Sequence, residues 1–301
     1  MALSTMTNRS PGDSVTASDW DITRNNILLI TGTASGTEGW GQSWSVYNPA
    51  AGASITDTDT NDIINAAQDI AVYAGATNTV SDVSNGAVIQ ETDLNNIQGT
   101  ITNGYNGRLT ADASYLSTEN KDTSTRTAAW STTVTHDCTV TFSSAAHRQA
   151  FFNAGGKLNF SASRSGGSSN DQNTDWTNML SAIGTVQMAY TATTASSGTT
   201  TSIGNEDLTT SYQTIYEKGG SGSYSTNYYK IQAKEVGGTF NELRFLITFG
   251  DSHTGRGYFD SVDGTLSSVV GVFRPNSGTL PNGNKVELSG EFFQFVGNSG
   301  L

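Results

Sequence analysis

The sequence predicts a mainly β fold: a C-terminal antiparallel β-sandwich with two short helices, preceded by an N-terminal region of short helices and loops. Charged residues make up 14% and hydrophobic residues 35% of the 301 residues, below the usual shares of about 25% and about 45–50%. Aromatic residues, at 9%, supply the large side chains that disordered chains lack. From about residue 123 onward, apolar and polar residues alternate as in half-buried strands.

The charge balance is acidic, with 15 basic against 27 acidic residues, a net charge of −12 and a pI near 4.5. This sign argues against nucleic acid as a partner and against an anionic membrane surface. The single Cys138 excludes an internal disulfide. The longest apolar run near the start, Ile27–Ile30, is far shorter than the ~20 residues of a membrane span. Since no secretory signal is visible either, we expect a soluble chain made in a cytosol.

The N-terminal region, residues 1–118, carries a weak repeat in which each copy follows a glycine. Three segments align without gaps: Val15–Asp21 after Gly12, Ile55–Asn61 after Gly52, and Ile89–Asn95 after Gly86. The second and third copies continue into apolar stripes at helical spacing, Ile63, Ala67, Ile70 and Ala74, and Leu94, Ile97 and Ile101. Predicted helix N-caps are Thr58, Asp59 and Thr92, and predicted helix ends are Gly75 and Gly104.

The loops between these helices are too polar to cover the stripes. A symmetric assembly would bury them against other copies. We therefore expect residues 1–118 to be a docking and oligomerisation region, and we favour a homo-trimer.

Residues 119–301 form the predicted β-sandwich domain, in which Trp130–Phe142 is the clearest strand. Further strands are predicted at Lys157–Ser163, Thr185–Tyr190, Tyr228–Lys234, Leu243–Phe249, Ser267–Phe273 and Glu291–Val296. Two helices interrupt them. Ser144 caps Ala145–Asn153 before Gly155 and Gly156, and Thr174 caps Asp175–Ile183 before Gly184.

Candidate chemistry is sparse. His136, Asp137 and Cys138 resemble a nucleophile set, but alternation places Asp137 on the opposite face, and a thiol among apolar side chains is inert. Asp57, Asp59 and Asp62 lack the Gly and Glu of a calcium loop and are better explained as helix caps. Four residues of one predicted loop could hold a cation: Asp251, His253, Asp260 and Asp263. A polar loop without a cation would have the same composition. Without a catalytic motif we expect no enzyme, no cofactor and no metal.

Two tryptophans, Trp40 and Trp44, lie in the glycine-containing stretch Gly36–Trp44. Buried packing and a partner contact both explain them, and packing is favoured.

One stretch of the sandwich, Thr139–Ser163, resembles a family of virion structural proteins of tailed bacteriophages, particularly those of cyanobacteria. The match continues in order through Thr174–Leu180, Ile183–Val186, Leu208–Tyr216 and Val262–Ser268, and more loosely through residues 10–110 with Trp40–Trp44. The resemblance implies a structural component without catalytic residues, located in a virion that is assembled in the host cytoplasm. Its partners would be other virion proteins.

Two functions remain open. The chain is either an assembly component, such as a tail, neck or head-attached fibre that docks by its N-terminal region, or a glycan-binding adhesin. In the adhesin, exposed Tyr224, Tyr228 and Tyr229 would stack on surface sugars of the host, although tyrosines at strand ends are more often packing.

Overall fold

The computed structural model describes residues 2–32, 39–48, 54–253, 261–288, 293–299 and 301. The chain forms two compact units. Unit 1 comprises Met1–Ser117, Gln149–Gly156 and Arg274–Ser289, and unit 2 comprises Thr118–Arg148, Lys157–Phe273 and Gly290–Leu301. The first division, after Ser117, lies next to the expected boundary at 118. The two later segments of unit 1 come from the region that the sequence analysis assigned to the sandwich.

Unit 1 contains three α-helices, one for each copy of the repeat. They are α1 (Ala17–Thr31), α2 (Asp57–Tyr73) and α3 (Glu91–Gly107). A 3₁₀ turn follows at Ala113–Tyr115. Helix α2 ends where expected, because Gly75 takes a positive φ of 62° just beyond its last turn.

The repeat is a helix-capping motif, and the predicted N-caps were misplaced. The cap residues are Thr16, Thr56 and Gln90 rather than Thr58, Asp59 and Thr92. In each helix the aspartate three residues after the cap accepts a hydrogen bond from the cap backbone N–H, at 2.8 to 2.9 Å. A carboxylate placed here satisfies a free N–H at the positive end of the helix.

The apolar stripes of α2 and α3 are fully buried within one chain, so the expectation that they need other copies is wrong. Ile63, Ile70, Leu94, Ile97 and Ile101 are all 0% exposed. The three repeats of a single chain supply the burial that the sequence analysis assigned to three copies. The trimer itself remains a prediction, but the apolar stripes no longer support it.

Gly104 does not end α3, which continues for three more residues. It lies against α2, where an added Cβ would stand 2.3 Å from Cγ2 of Ile70. The glycine therefore permits the close approach of the two helices.

The three repeats close into a ring, because each helix holds the extended segment that leads into another helix. Nε of Arg24 on α1 donates to the carbonyl of Val46, ahead of α2, at 3.3 Å. Asn61 on α2 and Asn95 on α3 each bond both backbone groups of one residue in such a segment. Asn61 holds Val83 ahead of α3, and Asn95 holds Arg9 ahead of α1, at 2.8 to 3.0 Å.

Unit 2 is a β-sandwich of two antiparallel sheets, as the sequence predicted. The strands are β1 (Leu116–Arg126), β2 (Thr133–Phe142), β3 (Lys157–Ser165), β4 (Thr185–Met188), β5 (Thr193–Thr194), β6 (Thr199–Thr200), β7 (Gln213–Gly219), β8 (Tyr228–Glu235), β9 (Glu242–Gly250), β10 (Thr265–Pro275) and β11 (Phe293–Ser299). One sheet has the order β1-β10-β3-β4-β5 and the other β11-β2-β9-β8-β7-β6. The core lies between them, where the rings of Phe160 on β3 and Phe245 on β9 are 5.0 Å apart.

Two helices accompany the strands, α4 (Ala145–Asn153) and α5 (Asp171–Ile183). Helix α4 has the predicted bounds. Helix α5 begins four residues earlier than expected because Asn170, not Thr174, is its N-cap; the side chain of Asn170 accepts from the N–H of Asn173 at 2.7 Å. Strands β1 and β7 and the two-residue strands β5 and β6 were not predicted.

Candidate functional site

The loop that follows β7 forms one wall of a cleft against α5. The cleft has a volume of about 210 Å³ and is lined by Asp175, Asn178, Met179, Ala182, Lys218, Gly219, Gly220 and Ser221. The loop leads toward Tyr224, Tyr228 and Tyr229, the residues predicted to contact a glycan. The cleft thus combines a carboxylate, a carboxamide and an ammonium group beside two glycines.

Asp175 is the most constrained side chain of this cleft. It is only 8% exposed, and its Oδ1 accepts the N–H of Ser221 at 3.0 Å and the Ser221 hydroxyl. Its Oδ2 is buried without a hydrogen-bond partner in the part of the chain that the structure describes. An added Cβ on Gly220 would lie 2.5 Å from this Oδ2, so only glycine fits there.

Buried polar atoms without partners occur on α5 and around the start of β8. Among the described residues they include Gln172 Oε1, Trp176 Nε1, Asn227 Nδ2 and the hydroxyl of Tyr229, in addition to Asp175. Buried polar atoms are ordinarily hydrogen-bonded, and an unsatisfied one costs about 1–3 kcal/mol. Of these atoms, only Oδ2 of Asp175 belongs to a residue that lines the cleft, where it can accept a hydrogen bond from a hydroxyl group.

The tyrosines expected to contact a glycan occupy different environments. Tyr229 is 1% exposed and packs against Phe249 at 5.1 Å, so its assignment as a surface contact is wrong; burial raises its pKa. Tyr228 is half-buried on the opposite face of β8, beneath the ammonium of Lys230. Tyr224 is half-buried against the ring of His253. None of the three lines the cleft described above.

Trp40 is a core residue of unit 1 rather than a partner contact. It is 0% exposed, its ring lies 4.7 Å from that of Tyr73, and its Nε1 donates to the carbonyl of Arg108 at 2.9 Å. Trp44 is half-buried, with its edge toward Trp40 and its Nε1 donating to the carbonyl of Lys285 at 2.7 Å. Packing, the favoured alternative, accounts for both.

The loop residues considered for a cation are used by the protein itself. Oδ1 of Asp251 accepts from Gln172 at 2.7 Å. Asp263 accepts from Ser168 and from Asn173, and the Ser168 hydrogen bonds lower its pKa. Asp260 lies outside the described residues. Within the described part of the chain, no three His, Cys, Asp or Glu side chains form a metal-binding group.

A Ser–His–Asp arrangement that was not predicted from the sequence lies inside the sandwich. Nδ1 of His136 lies 3.0 Å from Oγ of Ser268 on β10, and Nε2 lies 3.0 Å from Oδ2 of Asp122 on β1. Ser268 is 0% exposed, so no substrate can reach its hydroxyl, and the three residues instead join strands of both sheets. A serine on the otherwise apolar inner face of β10 was the one signal in the sequence.

The neighbouring residues of β2 behave as the alternation predicted. Asp137 points away from His136 and pairs with Arg244. Cys138 is fully buried, and burial together with the nearby Asp122 raises the pKa of its thiol. A thiol with a raised pKa is a poor nucleophile.

Comparison with known proteins gives no relative. No protein-family model, curated protein or solved structure matches the chain. Among the described residues, no helix is both long and apolar enough to cross a membrane.

Proposed function

We propose that this chain is a structural component of a tailed-bacteriophage virion, namely a tail, neck or head-attached appendage protein. The observation that carries the proposal is the resemblance of Thr139–Ser163, with its ordered continuation to Ser268, to that class of virion protein. This stretch forms the consecutive elements β2, α4 and β3.

The potentially reactive side chains make structural contacts, which supports an assembly role over catalysis. His136 and Ser268 are enclosed between the sheets, and Asp137 is paired with Arg244. Arg148 is only 4% exposed; its Nη2 lies 2.7 Å from Oε1 of Glu235. Side chains tied up in this way hold strands and loops in place. They are not positioned around a shared opening, as catalytic groups are.

Quantitative mass spectrometry of purified particles tests the proposal. Particles of the virus that encodes the chain should contain it at a fixed copy number after banding in a density gradient. A chain that is abundant in infected cells and missing from banded particles would contradict a structural role.

A homo-oligomer, with a trimer favoured, belongs to the proposal because virion appendages are built from symmetric copies. Sedimentation of the full-length chain at micromolar concentration should give an oligomer. A monomer under those conditions would remove this part of the proposal.

Glycan binding is the second candidate, and the cleft beside α5 favours it. A carboxylate oxygen without a partner, a carboxamide and backbone groups of glycines can together bind a pair of sugar hydroxyls. A glycan array with the full-length chain tests this. Binding should be lost in Asp175→Asn and kept in Asp171→Asn, an exposed aspartate on the same helix. Failure to bind any glycan, or equal binding by both variants, would argue against it.

A further inference from the structure

A cleft of about 500 Å³ lies in unit 1 between α3 and the extended chain of residues 3–8. None of the described residues that line it is charged. Gln98 lines the cleft and is only 3% exposed, yet its Oε1 has no hydrogen-bond partner among the described residues. A buried carboxamide oxygen ordinarily accepts a hydrogen bond, so the cleft lacks one donor.

The preceding repeat has a corresponding surface, with other side chains, 34 residues earlier in the sequence. The two helices can be aligned on Asp59 and Asp93, which each lie three residues after the N-cap residue. Asn65, Gln68 and Asp69 of α2 thereby correspond to Gly99, Thr102 and Asn103 of α3, which all line the cleft.

On α2 this surface is occupied by a loop of the chain itself, Pro281–Asn284. The N–H of Asn282 donates to Oδ1 of Asp69 at 3.1 Å, and its side-chain amide donates to Oε1 of Gln68 at 2.9 Å. Asn284 donates its backbone N–H and its side-chain amide to Oδ2 of Asp69, at 3.3 and 2.9 Å. An Asn-Gly-Asn turn therefore supplies four N–H donors to this face of the helix.

One of the differences between the repeats, Gln68 on α2 against Thr102 on α3, leaves the cleft open on α3. On α2, Nε2 of Gln68 reaches across to the carbonyl of Val80 in the adjoining segment, at 3.3 Å. Thr102 occupies the corresponding position on α3 and is too short to reach Met6, the counterpart of Val80; its hydroxyl donates to the carbonyl of Gln98 at 2.8 Å. The groove that Gln68 bridges on α2 is thus unbridged on α3.

We propose that this cleft, defined by residues 3–8 and by Asn95, Gln98, Gly99, Thr102 and Asn103, is a docking site for an uncharged polypeptide loop of a partner protein. The loop would present backbone N–H groups and a side-chain carboxamide, as Pro281–Asn284 does on α2. An uncharged loop also avoids charge repulsion with this acidic chain, of net charge −12. That the partner is another virion subunit rests on the proposed function, whereas the chemistry of the cleft does not.

A cyclic peptide with the sequence of residues 280–284, which carries no charged side chain, is the probe for this site. Its ends are close in the chain, where the N–H of Leu280 donates to the carbonyl of Asn284 at 2.8 Å. Methionine methyl groups labelled with ¹³C report binding by NMR, because Met6 lines the cleft while Met179 and Met188 lie in unit 2.

The full-length chain should show a saturable shift of the Met6 methyl signal with this peptide at millimolar concentration, and unchanged Met179 and Met188 signals. Thr102→Gln, which restores the bridge found on α2, should weaken the binding at least about tenfold, a difference of about 1.4 kcal/mol. Thr102→Ser keeps the cleft open and should bind like the wild type. A peptide with alanine in place of both asparagines should not bind.

Three results would overturn the proposal: no shift of Met6, equal shifts of Met6 and Met179, or unchanged binding by Thr102→Gln. Unchanged Met179 and Met188 signals in the variant show that unit 2 remains folded, and circular dichroism checks the helices of unit 1. If the chain were absent from virions, the Met6 result would still stand, and only the partner's identity as a virion subunit would be lost.

Discussion

Replacing Gly104 by alanine should destabilise unit 1, although alanine is the better helix former. The exchange of glycine for alanine inside a helix gains about 0.8–1.0 kcal/mol. At Gly104 the new methyl group would stand 2.3 Å from Cγ2 of Ile70, well below the ordinary contact distance of about 3.5–4.0 Å. Because Ile70 is 0% exposed, it cannot move aside freely, and overpacking of this kind costs about 1–3 kcal/mol.

Gly99 provides the matched control on the same helix. An added Cβ there would meet Oγ1 of Thr79 at 3.5 Å, which is ordinary van der Waals contact. Gly99→Ala should therefore gain the helix-propensity energy without the clash. Since that gain is common to both variants, the difference between their unfolding free energies isolates the steric cost, about 1–3 kcal/mol with Gly104→Ala the less stable.

Urea denaturation followed by fluorescence measures both variants, because the buried Trp20 and Trp40 report on unit 1. Gly99→Ala should raise the midpoint above that of the wild type, and Gly104→Ala should lie well below Gly99→Ala. If Gly104→Ala proved as stable as Gly99→Ala, the close approach of α3 to α2 would be refuted.

Three further substitutions test individual contacts. Cys138→Ser should lower the unfolding free energy by about 1–3 kcal/mol by placing a more polar hydroxyl at a fully buried position, and the native thiol should resist maleimide; rapid labelling would show that it is exposed. Tyr73→Phe removes the hydrogen bond from the Tyr73 hydroxyl to the carbonyl of Ala154, at 2.6 Å, and should cost about 1–3 kcal/mol in urea denaturation; an unchanged midpoint would contradict that contact. Burial alone would raise the pKa of Asp19, but hydrogen bonds, including one from Arg9, lower it below its ordinary value. The contribution of ionised Asp19 to the unfolding free energy is therefore present above about pH 4 and lost as the pH falls through the lowered pKa. Asp19→Asn should thus reduce the loss of unfolding free energy at acid pH. An identical dependence of stability on pH would contradict the pairing of Asp19 with Arg9.

Local sequence rules located the elements of this fold better than their ends. The run around Thr56 offers several residues that can cap α2, and only the spacing of Thr56 to Asp59 marks the capping box. Gly75 and Gly104 look equally like helix ends in sequence. The first does follow the end of α2, whereas the second contacts α2 because the helices pack closely, a fact of tertiary structure.

Strand β1 and the pair Tyr228 and Tyr229 show a different limit of prediction from sequence. Leu116–Arg126 lacks apolar alternation, because its side chains are mostly half-exposed at the edge of a sheet. Adjacent Tyr228 and Tyr229 must face opposite sides of a strand, so the sequence could have shown that both do not share one surface. Which of them enters the core depends on packing against Phe249.

The candidate sites depended on contacts between distant residues and could not be predicted. Asp175 and Ser221 are 46 residues apart in sequence, and no motif links them. The cleft beside α3 was recognisable only after the structure showed that Pro281–Asn284 covers the corresponding part of α2. The repeat itself was visible in sequence. The sequence did not show that the three repeats close into a ring within one chain.

Electron cryo-microscopy of purified particles tests the central claim most directly. We predict that the sandwich and the three-helix ring each fit density in a symmetric set of copies, with a loop of another polypeptide in the cleft beside α3. A complete map of the particle in which neither unit fits any density would contradict a structural role in the virion.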